Sequence, residues 1–194
     1  MPKPDKSYRK TTIGEHRLSA ESLVIGYGYD PQMSEGSIKP PIFMTSTFAF
    51  KSAADGEALF AAMAGKQAAG EAPREDLIYT RFNNPNMEVL EDRLTLFDGG
   101  DAALAFSSGM GAITTSLLAT TSGGGSVLHT SPLYGASEVF IRSMLPDYGI
   151  HVEEVSSVAD EAVILEAARR AARHGPLQVI YTESPANPTN ALVD

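Results

Sequence analysis

Ala102-Ala103-Leu104-Ala105-Phe106, Ser126-Val127-Leu128-His129, Ile150-His151-Val152-Glu153-Glu154-Val155 and Leu177-Gln178-Val179-Ile180-Tyr181 are four short apolar runs whose starts lie 24, 24 and 27 residues apart. Between them lie segments of helical periodicity, Met110 to Ala119, Ala136 to Leu145 and Val158 to Arg173. Strands alternating with helices at this period predict βαβ units and a parallel sheet, because parallel neighbours need a crossover. Right-handed crossovers place helices on both faces of such a sheet. Upstream, Pro85 to Phe97 predicts a further amphipathic helix, with Met87, Leu90, Leu94 and Phe97 on one stripe and Gly99-Gly100 as its stop.

Residues 1 to about 80 have a different texture. They hold Pro40-Pro41, the Gly26-Tyr27-Gly28-Tyr29 stretch and an Ala/Gly-rich loop near Ala64 to Pro73. A helix is expected at Ala53 to Met63, with Leu59, Phe60 and Met63 sharing a face. The remainder reads as an arm that must lean on something else.

Composition narrows the class. The chain has 194 residues, 43% of them apolar, enough for a hydrophobic core. Fifteen basic residues against 24 acidic give a net charge of -9, which argues against nucleic-acid binding and against a polybasic membrane anchor. No apolar run approaches the roughly 20 residues of a membrane helix, and Met1 to Arg17 is polar with no signal-peptide pattern. The expectation is a cytoplasmic globular protein. With no cysteine there is no disulfide, thiolate zinc site or thiol nucleophile, and His16, His129, His151 and His174 show no metal spacing. Glu153-Glu154 with Asp160-Glu161 reads as a solvated rim, and Arg169-Arg170 to Arg173 as cations at a helix C-terminus.

In a parallel α/β sheet, ligands bind beyond the carboxyl ends of the strands. After the first run comes Ser107-Ser108-Gly109-Met110-Gly111, opening into a helix. Two hydroxyls and free backbone N–H groups at a helix N-terminus make a cup for an anion, best a phosphate. The plain alternative is a tight turn with an N-cap serine. It is neither a dinucleotide fingerprint, since the third glycine is missing, nor a Walker A loop. After the second run, Tyr134 in Thr130-Ser131-Pro132-Leu133-Tyr134-Gly135 either stacks on a flat ligand or packs a loop. After the fourth, Thr182-Glu183-Ser184-Pro185-Ala186-Asn187-Pro188-Thr189-Asn190 is held extended by its two Xaa-Pro steps and offers the Asn187 amide, or is an ordinary turn. Tyr79-Thr80-Arg81 precedes the helix at Pro85, and its arginine suits phosphate oxygens or is a solvated charge.

In this order the segments Tyr79-Thr80-Arg81 with Asn84-Pro85, Ser107-Ser108-Gly109-Met110, Leu133-Tyr134-Gly135 and Glu183-Ser184-Pro185-Ala186-Asn187-Pro188 resemble the pyridoxal-phosphate enzymes of cysteine and methionine metabolism. These are the cystathionine γ-synthases, γ-lyases, β-lyases and homoserine sulfhydrylases. Pro40-Pro41-Ile42 and Ser46-Thr47-Phe48 extend the likeness into the arm, so that it runs from about Leu23 to Asp194. The resemblance implies the fold type I, aspartate aminotransferase-like architecture. Residues 1–80 would be an oligomerisation arm, and 81–194 the first part of the large, cofactor-binding domain. It implies pyridoxal 5'-phosphate (PLP) as cofactor. Ser108, Gly109 and Met110 would hold its phosphate, Tyr134 would stack on its ring and assist proton traffic, and Asn187 would bond its phenolic oxygen with Glu183 in support. Tyr79 and Arg81 would reach the phosphate of a neighbouring subunit's cofactor, which requires a homodimer at least; these enzymes are usually tetramers. The reaction implied is γ-replacement on an O-acylhomoserine, as in cystathionine γ-synthase, with a sulfhydrylase or a methionine or cystathionine γ-lyase as the alternatives. Methionine γ-lyases carry a cysteine after the Tyr-Gly step, where Ala136 stands here.

The family's cofactor-binding Ser-x-Thr-Lys segment and its Val-Asp-Asn strand end have no counterpart, and all six lysines lie at or before Lys66. The chain therefore reads as the front half of an enzyme and is expected to show no turnover by itself. Asp194 stands too close to the fourth run to replace the missing aspartate. The alternative of another class is a non-catalytic phosphate-binding or oligomerisation fragment.

Overall fold

The computed structural model describes residues 9–66 and 77–193, which fall into two compact units divided between Ala105 and Phe106. The residues 67–73 of the expected Ala/Gly-rich loop, and Asp194, lie outside the described residues. No helix among the described residues is long and apolar enough to cross a membrane.

The first unit opens with an antiparallel pair, β1 (Thr12–Ile13) and β2 (His16–Arg17), turned at Gly14. A short helix α1 (Ala20–Leu23) and a 3-10 turn (Pro31–Ser34) follow, the turn capped by Asp30. Helix α2 spans Ala53–Met63, as its periodicity requires, and is N-capped by the Ser52 hydroxyl. Its expected apolar face is only partly used: Leu59 is buried, whereas Phe60 and Met63 are about half exposed. Gly56 takes the second inward position because the Phe50 ring lies where a Cβ would stand, 2.9 Å away. Helix α3 (Pro85–Asp98) starts at the Asn84 cap with Pro85 in the first turn and stops at Gly99 in the left-handed region. Its stripe of Leu90, Leu94 and Phe97 stays exposed, and no residue of the helix is fully buried among the described residues. What fixes α3 is polar: Arg9 pairs with Asp92 at 2.8 Å, and Arg93 donates to the carbonyls of Tyr27 and Ile25.

The run Ala102 to Phe106 is not a strand, which corrects the expected count of four to three. A strand needs a neighbour to pair with, and none among the described residues supplies it; the Ala105 N–H donates instead to the Glu91 carboxylate.

The second unit carries a parallel sheet of β3 (Ser126–Ser131), β4 (His151–Ser156) and β5 (Leu177–Tyr181) in the order β4-β3-β5. Helix α4 (Gly109–Thr120) precedes β3. One face packs Val127, Val152, Val179 and Tyr181 against Leu117 of α4 and against Phe140, Ile141 and Leu145 of the β3–β4 connection. The other packs Leu128, Val155 and Leu177 against Ala167 and Ile164 of α6 (Glu161–Ala172). Helices thus lie on both faces. The expected single helix Ala136 to Leu145 is instead α5 (Gly135–Val139), a π turn (Phe140–Met144) and a 3-10 turn (Leu145–Tyr148). Pro146 explains the break: it lacks an N–H and its ring opposes the carbonyl four residues back.

The acidic rim is not uniformly solvated. The Glu153 side chain is only 18% exposed and takes hydrogen bonds from Arg170 at 3.0 Å and from His151, whose ring stacks on His174. Burial works against its charge, but the bonds from His151 and Arg170 outweigh it and hold its pKa below 4.5. A carboxylate with a lowered folded-state pKa contributes stability above its unfolded pKa and loses it as pH falls through the folded value. Arg170→Ala is expected to cost about 1 kcal/mol at pH 7 and less in acid. Urea melts at pH 7 and pH 3 would check this; an equal cost at both pH values would be the contrary result.

Candidate functional site

The carboxyl ends of β3 and β5 and the N-terminus of α4 converge on the same side of the second unit. Ser108 is extended and caps α4, its hydroxyl oxygen accepting the Gly111 N–H at 3.0 Å. The capping turn is therefore real, and it leaves the cup in place. The N–H groups of Gly109 and Met110 fall in the first helical turn, where no carbonyl of the helix can reach them. They have no acceptor among the described residues. A Cβ on Gly109 would meet nothing within 4 Å. Two unmatched donors, a capping hydroxyl still able to donate, and open space before them fit an oxyanion such as a phosphate.

Tyr134 follows β3 and precedes α5, with 42% of its surface exposed. Its backbone N–H donates to Glu183 Oε2 at 2.6 Å, so the exit of β5 grips the exit of β3. Glu183 Oε1 takes the Tyr181 hydroxyl at 2.9 Å, and that hydroxyl lies 3.4 Å from the buried Ser137 Oγ. Ser137 Oγ in turn lies 3.9 Å from Met110 Sδ. Burial above all pushes the Tyr181 phenol above its ordinary pKa of 10.0; the bond to Ser137 opposes this, and the bond to Glu183 and its charge add to the rise. The phenol is therefore a neutral donor at neutral pH. Ser108, Gly109, Met110, Tyr134 and Glu183 are thus brought together. Tyr181 and Ser137 were not singled out from the sequence. The available signal was local: Tyr181 ends its strand two residues before Glu183.

Asn187 is exposed, and its amide makes no hydrogen bond among the described residues. The segment around it does not run extended throughout, contrary to the expectation from its prolines. It turns at 187–189 because the Asn190 N–H closes on the Ala186 carbonyl at 2.7 Å.

Tyr79 and Arg81 belong to the first unit. Tyr79 bridges to Thr47, and its ring meets Phe82 edge-on. The Arg81 guanidinium donates to the Tyr79 hydroxyl and lies 4.3 Å over the Phe82 ring. The arginine is thus laid against two rings, while its residue remains exposed.

A second, polar cavity of about 540 Å³ lies against β4, lined by His129, Arg142, His151, Glu154 and His174. His129 is buried, its Nδ1–H donating to the Thr130 carbonyl, and its Nε2 lies 3.8 Å from Glu154. No group of three metal-ligating side chains forms among the described residues.

The family model described as Cys/Met metabolism PLP-dependent enzyme matches residues 21–194. An L-methionine gamma-lyase of Pseudomonas putida is 38% identical over 88% of the chain and 39% of its own length. An O-succinylhomoserine sulfhydrylase of Mycobacterium tuberculosis is 33% identical over 79% of the chain and 34% of its own length. A solved structure of a putative O-acetylhomoserine (thiol)-lyase from Campylobacter jejuni, which contains a pyridoxyl-lysine monophosphate, superposes with a TM-score of 0.75 at 25% identity. It covers 92% of the chain and 40% of the solved protein. The chain spans about two fifths of the length of the relatives it matches.

Proposed function

The chain belongs to the Cys/Met metabolism PLP-dependent enzyme family, and on that footing we propose that its second unit supplies the phosphate cup and ring platform of a PLP site. Gly109 and Met110 give their N–H groups to the phosphate and Ser108 its hydroxyl. Tyr134 stacks on the pyridine ring, and its phenol holds or delivers a proton at the departing group. Asn187 turns its free amide to the ring's phenolic oxygen, and Glu183 fixes the platform from beside it. When bound, PLP supplies the electron sink for chemistry at the carbons of an amino acid. Tyr79 and Arg81 serve the phosphate in a neighbouring subunit, so the working form is a homodimer or a tetramer built from it. Residues 1–80 would form its arm and 81–194 the first part of its large domain.

The observation that carries this reading is the 2.6 Å bond pinning Tyr134 to Glu183 beside the open N-terminus of α4. Titration with PLP and with inorganic phosphate tests it. PLP is expected to bind about a hundredfold more tightly, since the ring adds stacking and a second anchored end. Equal affinity for the two would remove the ring platform, and binding of neither would remove the cup.

For the reaction we propose γ-replacement on an O-acylhomoserine. γ-Elimination of a sulfur amino acid is the second reading, favoured by the 38% identity to a methionine γ-lyase and opposed by Ala136 after Gly135. In a PLP-loaded enzyme that carries this chain together with a cofactor-binding lysine segment, thiol-dependent thioether formation from O-acylhomoserine should exceed release of 2-oxobutanoate from methionine. The reverse order would establish the lyase.

A further inference from the structure

A stacking tyrosine selects a flat ligand only if its ring is held at one place relative to the group that binds the ligand's other end. Tyr134 sits in a loop, with its side chain partly in solvent, so the fixing must come through its backbone. Glu183 does this with one oxygen while the other accepts the Tyr181 hydroxyl. Both oxygens act as acceptors, so each oxygen of the Glu183 side chain has its own fixed partner. The Tyr181 hydroxyl is within 3.4 Å of Ser137 Oγ, which is fully buried and lies 3.9 Å from Met110 Sδ in the first turn of α4. The line therefore runs from the Met110 side chain through those of Ser137, Tyr181 and Glu183 to the Tyr134 backbone N–H, and joins the first turn of α4 to the ring platform.

We propose that Tyr181 and Ser137, acting through Glu183, are positioning residues that hold the Tyr134 ring at a set distance from the α4 cup. This rests on the reading of Tyr134 as a ring platform. The device discriminates by shape: a ligand with a phosphate and a flat ring at the matching separation uses both ends. Inorganic phosphate uses only the cup and is indifferent to the line. Tyr181 also packs in the core beside Val179, so the variant that removes the hydroxyl and keeps the ring isolates the positioning role.

Tyr181→Phe is the test, with three readouts. Hydrogen exchange at the Tyr134 amide should quicken about tenfold, because a carboxylate that loses one of its two fixed partners swings more freely. PLP affinity should fall about tenfold while phosphate affinity stays within twofold. Ser137→Ala should move both quantities in the same direction by less. Exchange at the β3 and β4 amides, unchanged in the variant, shows that the fold is kept. An unchanged Tyr134 exchange rate overturns the proposal, as does an equal loss of PLP and phosphate affinity. The platform reading is checked separately by Tyr134→Ala in the wild-type background. If that variant binds PLP normally, the platform is wrong, whatever the exchange result says about the line.

Discussion

Gly109→Glu is expected to lower PLP affinity by about a hundredfold and to leave the fold intact. The two effects have different causes. A side chain at 109 meets nothing within 4 Å, and the residue is not in the left-handed region, so the substitution creates neither clash nor backbone strain. A carboxylate in the first turn of α4 also favours the helix dipole, by about 0.3–1 kcal/mol. Binding moves the other way. The new carboxylate occupies the space before the Gly109 and Met110 N–H groups and competes for them, and it repels a phosphate dianion there. Losing two charge-assisted bonds at 1.5–3 kcal/mol each is enough for about two powers of ten. The measurement is an absorbance titration with PLP beside a thermal melt. A Tm that is unchanged or slightly raised, with lost affinity, is the expected pair. Affinity within threefold of wild type would show that the cup does not hold the phosphate.

The parts of this fold that the sequence made legible are those whose causes are local. Helix α2 ends where its pattern ends, and α3 begins at Asn84-Pro85 and stops at Gly99, because caps, proline and glycine act on their immediate neighbours. The strands β3, β4 and β5 lie within a few residues of their apolar runs. Ala102 to Phe106 failed as a strand for the complementary reason: its pattern is right, but pairing is a property of two segments. The stripe on α3 is similar, since an apolar periodicity states what a helix can bury and not what is there to bury it. Ser108, Gly109, Met110, Tyr134 and Glu183 were legible as an ordered set of motifs. The bond from Tyr134 to Glu183 was not, because 49 residues separate its ends and only the adjacency of β3 and β5 makes it. Tyr181 and Ser137 were hidden for the same reason.

That adjacency depends on one close approach, and Gly125→Ala is expected to destabilise the second unit by about 3 kcal/mol. Gly125 precedes β3 with φ at 113, a region that alanine scarcely enters, and a Cβ there would stand 2.6 Å from the Pro176 carbonyl oxygen and 2.8 Å from Gln178 Cγ. Pro176 cannot simply retreat, because its carbonyl accepts the Ser126 N–H at 2.9 Å and so starts the β3–β5 ladder. Gly125 also accepts from the His151 N–H at 3.0 Å, at the first step of the β3–β4 ladder. The strain of the backbone angle, about 1–3 kcal/mol, and the displacement of a packed neighbour, about 1–3 kcal/mol, therefore add at the point where all three strands begin. The neighbouring glycines separate the two contributions. Gly124 has a positive φ but open space, so Gly124→Ala should cost about 1 kcal/mol. Gly123 has neither constraint, and Gly123→Ala should be neutral or stabilise by about 0.5 kcal/mol. Urea unfolding of the three variants, followed by far-UV circular dichroism, should rank them Gly125, Gly124, Gly123 from most to least damaging. Because the same ladder carries Glu183 to Tyr134, Gly125→Ala should also weaken PLP binding at a temperature where the chain is still folded. A Gly125 variant as stable as the Gly123 variant would mean that the strand starts tolerate being moved apart. The register joining the two exits would then be set elsewhere.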